Sequence, residues 1–211
     1  MTKIKFGTDG WRAIIAKEYT TDNVARVSIA VADWLNENND NPSVVIGHDC
    51  RFSGEMFAET AAKVLASNGV LVKIAKGFVS TPMVSLGVVK EKASLGVVIT
   101  ASHNPPAYNG FKLKGDFGGP LLPVDITDVE NRIPESNSVD LDAISIESLV
   151  TEGKIIYVDL EEMYCKHAEE NFDLDAINNS DMNFAYDAMF GSGMNAVKRL
   201  LPNATLLHCD D

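Results

Sequence analysis

Short β-branched runs alternate with segments of helical period, and this alternation constrains the fold more than any other feature of the chain. Ser43-Val44-Val45-Ile46-Gly47, Val70-Leu71-Val72-Lys73-Ile74 and the stretch from Ser94 to Thr100 are brief apolar runs of the kind buried on both faces of a parallel sheet. Helix patterns lie between them. Thr20 or Thr21 can cap a helix over residues 22–37, where Val24, Val27, Val31, Trp34 and Leu35 repeat at helical spacing until Asn38 to Pro42 ends it. Ser53 can cap a second helix, with Met56, Phe57, Ala61, Val64 and Leu65 as its stripe and Gly69 as its stop. Thr81-Pro82 opens a third, with proline in the first turn, where a missing N–H costs nothing. Units of this kind predict an α/β fold: a mixed, mostly parallel sheet sandwiched by helices, with ligands beyond the carboxyl ends of its strands.

The pattern changes after residue 133. Residues 134–152 are polar and irregular, which predicts a boundary between a first domain over 1–140 and a second over 150–211. Beyond it, Lys154 to Val158 reads as a strand, 159–179 as helix, Asn183 to Tyr186 as strand, Asn195 to Leu201 as an amphipathic helix, and Ala204 to His208 as another apolar run. This second α/β unit begins but looks unfinished. Its open strand edges are expected to favour self-association.

Apolar residues make up 45% of the 211, enough for an ordinary core. The formal net charge of −12 argues against a general nucleic-acid surface, yet leaves room for a local basic pocket that takes a small phosphorylated ligand. Three scattered cysteines, Cys50, Cys165 and Cys209, suit free thiols in a reducing compartment. No apolar run approaches the ~20 residues of a membrane helix, and the first residues lack a leader's apolar core, so a cytoplasmic protein without a membrane partner is expected.

One segment carries chemistry. Residues 99–115 read ITASHNPPAYNGFKLKG: a strand stops in Ser-His-Asn-Pro-Pro and resumes as Phe-Lys-Leu-Lys after what reads as an Asn109-Gly110 turn. A serine hydrolase is a poor match, because adjacent side chains diverge, which keeps His103 from serving as the base of Ser102, and no Gly-x-Ser-x-Gly elbow is present. On residue types alone, Ser102 is a turn former ahead of a diproline. His48-Asp49-Cys50 lacks the spacing of a zinc site, and Gly191-Ser192-Gly193 reads as a plain strand-to-helix turn without a Walker lysine.

The whole string says more. TASHNPPAYNGFKLKG resembles the active-site serine loop of the α-D-phosphohexomutases, the phosphoglucomutase/phosphomannomutase family. FGTDGWRA, GHDCRFSGE, KLKGDFGGP and YDAMFGSG resemble further segments of that family, so the likeness spreads over most of the chain. The resemblance implies interconversion of hexose 1-phosphate and hexose 6-phosphate, of glucose or mannose, through a phosphoserine and a bisphosphorylated sugar such as glucose 1,6-bisphosphate. NPPAYNGFKLK looks closer to the phosphoglucomutase and phosphomannomutase branches than to the phosphoglucosamine branch.

By this resemblance Ser102 is the phosphorylated residue and one ligand of a Mg²⁺ ion. Lys112 matches a lysine that acts as general acid/base near the phosphoserine and touches substrate; a lysine in that role needs burial or a neighbouring cation. The plain alternative for Lys112 is an exposed strand lysine, like Lys114. His103 either orients the phosphoserine and assists proton transfer or fixes the loop. Asn104 staples the loop through its amide. Arg12 matches an arginine brought into the cleft, where a guanidinium spreads phosphoryl charge, although Ala13 follows it where many members carry glycine. Arg51 also matches a family position and reads as a structural ion-pair partner. The family's Asp-Gly-Asp-x-Asp-Arg metal loop does not occur in the sequence, nor do its sugar-reading and phosphate-gripping loops. The remaining metal ligands are therefore expected beyond Asp211, and the chain is expected to be an N-terminal portion without activity of its own. The alternative is a phosphosugar-binding or regulatory relative that performs no catalysis.

Overall fold

The computed structural model describes residues 3–7 and 10–210. Six strands make the main sheet: β1 (Trp11–Ile14), β2 (Ser43–His48), β3 (Leu71–Ala75), β4 (Leu95–Ile99), β5 (Tyr108–Gly115) and β6 (Ile155–Val158), in the spatial order β1-β5-β4-β2-β3-β6. Strands β4, β2, β3 and β6 run parallel, while β5 and β1 add antiparallel beyond β4. The sheet is mixed and mostly parallel, with helices on both faces, as the alternation predicts.

Burial follows the pleat. On one face α1 (Thr21–Asn38) and α2 (Gly54–Ser67) cover Val44, Ile46, Val97, Ile99 and Phe111, and α4 (Pro123–Arg132) packs beside α1. On the other, α3 (Thr81–Lys90) and α6 (Leu160–Asn171) cover Val45 and Val98 through Val84, Val88 and Leu160. Each large apolar side chain fully buried in this way contributes about 1.5–3 kcal/mol. Helix α1 begins where expected, with the Thr20 hydroxyl accepting from the Asn23 N–H at 3.2 Å.

Several local expectations are corrected. Asn109-Gly110 is not a turn but lies inside β5, between β4 and β1; a Cβ on Gly110 would stand 2.6 Å from the Thr100 carbonyl oxygen and 2.8 Å from that of Trp11. The glycine serves close strand approach there. Ser53 stands at the N-cap of α2 but makes no side-chain cap bond: it is left-handed (φ 58°), and the entry turn is closed by Gly54 N–H donating to the Arg51 carbonyl at 2.9 Å. Lys114 is buried, not exposed: α3 packs on β5, and the lysine side chain lies over Gly96, where a Cβ would stand 3.1 Å from Lys114 Cβ. The helix expected over 159–179 breaks at Phe172 and Asp173, where the Asp173 carboxylate caps a new short helix, α7 (Leu174–Asn178).

Strand β6, after a short α5 (Ile146–Thr151), pairs with β3, so the large sheet draws its last strand from residues beyond the expected boundary near 140–150. The chain then builds a two-stranded parallel sheet from β7 (Ala185–Asp187) and β8 (Thr205–Leu207), joined by α8 (Met194–Leu200), which packs on α6. Among the described residues no helix is long and apolar enough to cross a membrane.

Candidate active site

The loops after β2, β3 and β4 gather at the carboxyl edge of the parallel strands. Asp49 N–H donates to the Ile99 carbonyl at 3.1 Å, and Val79 N–H to the His48 carbonyl at 2.7 Å. Residues 100–107 form the β4–β5 connection, with Ser102 and His103 exposed at its tip.

Ser102 has φ 55°, a left-handed backbone that a non-glycine residue adopts at a cost of about 1–2 kcal/mol. Neighbouring groups hold it there. Its N–H donates to Thr100 Oγ1 at 3.1 Å, and the Thr100 hydroxyl donates to Asp49 Oδ2 at 2.5 Å. Arg51 grips the loop from the other side. Its Nη2 donates to the carbonyls of Ser102 (2.9 Å) and Asn104 (2.7 Å), and its Nη1 to those of Pro105 and Tyr108, both at 3.0 Å. Asp49 lies 3.5 Å from Arg51 Nε and also accepts the Arg51 backbone N–H at 3.0 Å. The expectation of Arg51 as a structural ion-pair partner is met, and its reach to four loop carbonyls is an addition. Sequence reasoning missed Asp49 and Thr100 as loop supports. The Asp-x-Arg spacing in GHDCRFSGE was the signal available for Asp49.

The left-handed turn also overturns the expected divergence of Ser102 and His103: the serine Oγ and His103 Nδ1 stand 3.3 Å apart. With that nitrogen unprotonated it can accept the hydroxyl proton. Arg12 on β1 reaches the same loop, its Nη1 donating to Asn104 Oδ1 at 3.1 Å. Asn104 thus staples the loop through its amide, as expected. Thr8 and Asp9 of the opening string lie outside the described residues.

Register decides which side chains share this side of the sheet. Arg12 pairs with Gly110 and Val98 with Lys112, while Thr100 N–H donates to the Gly110 carbonyl at 3.0 Å. With a pleat period of two, Arg12, Thr100 and Lys112 fall on one face and Trp11, Ile99 and Phe111 on the other. Lys112 is buried, its side chain crossed by the left-handed Gly10, where a Cβ would come within 3.0 Å of Lys112 Cγ. The plain alternative of an exposed lysine is therefore corrected.

A crevice of about 610 Å³ opens beside this loop cluster. It is lined by Cys50 and Arg51 of the β2–α2 loop, by Phe78, which packs against the Met194 cluster, and by Phe190, Met194 and Asp210. Phe190 packs on His208, whose Nδ1 lies 2.9 Å from Asp187 Oδ1 at the ends of β7 and β8. Among the described residues no three His, Cys, Asp or Glu side chains gather to hold a metal ion. The His48 ring lies against the Asp49 carbonyl, and the Asp49 carboxylate is engaged by Thr100 and Arg51. The residues present do not by themselves fit the magnesium site that the resemblance implies; Ser102 offers one oxygen at the loop tip. Of the three cysteines, Cys50 is exposed and Cys165 and Cys209 are buried.

Comparison with known proteins places this geometry. A family model described as phosphoglucomutase/phosphomannomutase, alpha/beta/alpha domain I, matches residues 3–140. A phosphoglucomutase of Staphylococcus saprophyticus is 31% identical over 202 residues, 94% of this chain and 37% of the relative. A phosphoglucosamine mutase of Clostridium acetobutylicum is 35% identical over 171 residues, so identity in this region does not separate the sugar branches. A structure assigned as a phosphomannomutase of Thermus thermophilus superposes with a TM-score of 0.86 at 33% identity, over 98% of this chain and 45% of its own. The open form of parafusin from Paramecium shares the fold at a TM-score of 0.80 and 20% identity. The chain spans 37% of the length of the curated relatives it matches.

Proposed function

This chain belongs to the phosphoglucomutase/phosphomannomutase family, and from that premise we propose that Ser102 carries a phosphoryl group between the two ends of a hexose phosphate. The observation that carries the reading is the clamped loop: an exposed hydroxyl on a backbone held by Arg51, Thr100 and, through Thr100, Asp49. Phosphoryl transfer asks for positioning and charge stabilisation above all, and a fixed loop supplies the first.

The phosphoryl group on Ser102 passes to the O6 hydroxyl of a hexose 1-phosphate: the Ser102 Oγ–P bond breaks, a P–O6 bond forms, a base takes the O6 proton, and the departing serine oxygen takes one up to become a hydroxyl. The sugar, now bisphosphorylated, turns end for end. Its C1 phosphoryl then passes to Ser102 Oγ: the O1–P bond breaks and a P–Oγ bond forms, a base takes the serine proton, O1 takes one up, and hexose 6-phosphate departs with Ser102 phosphorylated again. His103, 3.3 Å from the serine oxygen, and Lys112 are the groups suited to move those protons. Arg12 supplies charge beside the loop. Glucose or mannose phosphates are the proposed substrates, and cytoplasm the proposed compartment.

Material made in cells tests this by intact mass and peptide mapping. One phosphoryl group on Ser102, discharged by hexose 1-phosphate in a polypeptide of the relatives' full length, is expected. Interconversion of hexose phosphates by that polypeptide with Ser102 never labelled would overturn the reading. The 211-residue chain alone is expected to show no turnover, since it spans 37% of its relatives. A relative that binds phosphosugar without catalysis would bind and never become labelled.

A further inference from the structure

Strand β6 is the outermost strand of the large sheet and is paired on one side only, to β3. The Lys154 and Val158 carbonyls accept from Val72 N–H at 2.9 Å and Lys76 N–H at 3.0 Å, so in a parallel ladder the peptide groups of Ile155 and Tyr157 turn the other way. Among the described residues no strand lies beyond them. The usual guards of an edge are missing: no proline or lysine interrupts Ile155–Val158, and Lys154 is paired with Glu152 at 2.7 Å. Two large side chains stand in the open here, Ile156 at 43% and Tyr157 at 45% exposure.

Successive side chains of a strand alternate between faces. Ile155 is buried with Leu149 of α5 on the face that α2 covers, so Tyr157 projects on that side and Ile156 on the other. Glu55 and Glu59 stand one turn apart on α2, and Glu147 lies in the first turn of α5. Like charges at that helical spacing repel, and neither Glu55 nor Glu59 makes an ion pair among the described residues. Burial first, then the charges of Glu59, Glu55 and Glu147, push the Tyr157 phenol above its ordinary value, so all three carboxylates bear on that ring.

We propose that β6 receives an extended basic segment of another polypeptide as an added strand, with Lys or Arg side chains beside Tyr157 and apolar ones beside Ile156. The outward peptide groups of Ile155 and Tyr157 supply the pairing. A cation laid over the open ring meets the aromatic face and the carboxylates together. A second copy of this chain is the wrong occupant. Pairing β6 with β6 would bring Glu55, Glu59 and Glu147 against their own counterparts, in a chain of net charge −12. Glu55 also lines the crevice, so the variants below leave it in place.

Amide-resolved NMR of the 211-residue chain at fixed ionic strength, with a capped nonapeptide alternating lysine and valine, tests the assignment. Saturable shifts and slowed exchange at Ile155 and Tyr157 are expected. The same peptide with glutamate for lysine should not bind. N-methylation of the basic peptide's backbone nitrogens, which keeps every charge but removes strand pairing, should abolish the effect. Glu59→Gln/Glu147→Gln should weaken binding about tenfold, while Asp33→Asn/Glu170→Gln, which removes the same charge elsewhere, should leave it unchanged. No saturable shift at 155 and 157, equal binding of the methylated peptide, or equal weakening by both double variants would overturn the site. Protection of these two amides that grows with protein concentration, without peptide, would make a second copy the occupant and overturn it too.

Discussion

Arg51 holds Ser102 by its backbone and not by its side chain: the guanidinium Nη2 donates to the Ser102 carbonyl at 2.9 Å across fifty-one residues of sequence. The hydroxyl is thereby left to face outward while the peptide beneath it is fixed. Replacing Arg51 should release the whole loop. Arg51→Ala is expected to lower stability by about 2–4 kcal/mol, since four carbonyls and the Asp49 carboxylate lose a charged partner together. Arg51→Lys should recover little, because an ammonium cannot reproduce a planar fork. Urea unfolding and amide exchange at residues 101–107 measure both, and an unchanged exchange rate in Arg51→Ala would contradict the clamp.

Ser102 itself makes a two-sided prediction. With φ at 55°, glycine fits the backbone better than any L residue, so Ser102→Gly should be more stable than Ser102→Ala by about 1 kcal/mol. Neither variant should accept a phosphoryl group. Thermal melts compare the two variants, and intact mass reads the label.

Much of this was legible in the residues. The strand and helix alternation, the Thr20 cap and the parallel core follow from periodicity that burial enforces. Arg51 read as a structural ion-pair partner, although its partner Asp49 did not. What could not be read was the approach of elements distant in sequence. Gly110 looked like a turn residue because Asn-Gly favours turns, yet it is squeezed between the Thr100 and Trp11 carbonyls. Lys114 looked solvated because lysine usually is, yet its side chain lies over Gly96 on a sheet face that α3 covers. Ser102 and His103 looked divergent because ordinary strand geometry separates neighbours, and a left-handed residue brings them within 3.3 Å.

Tyr19 ties stability to alkaline pH. It is fully buried, stacks on Trp11 with ring centres 4.7 Å apart, and donates its hydroxyl to the Gly110 carbonyl at 2.8 Å. Burial first, and the Asp49 charge second, push its phenol well above the usual value. The unfolded chain ionises this group near its ordinary pKa of about 10, the folded chain only above it. The stabilisation is therefore complete below about pH 10 and is lost as pH rises from there towards the folded value. Tyr19→Phe should flatten that alkaline limb in a series of urea midpoints, and an unaltered slope would exclude the linkage.

The pair β7–β8 predicts uneven protection. Two parallel strands of three residues each are marginal without further partners. Amides of 185–187 and 205–207 should exchange far faster than those of β2 and β4, and sedimentation should reveal concentration-dependent self-association. A strictly monomeric chain with full protection at 185–187 would count against this.

The antiparallel attachment of β5 has a consequence for how this scaffold can change. The serine tip is a hairpin end whose two stems are already zipped to each other and, through β1, to the arginine. The placement of Arg12 and Lys112 is thus written into main-chain ladders, and the exposed groups at the tip, Ser102 and His103, add little to the core. Chemistry and folding are separable here: side chains at the tip can be exchanged for others without the sheet having to be rebuilt.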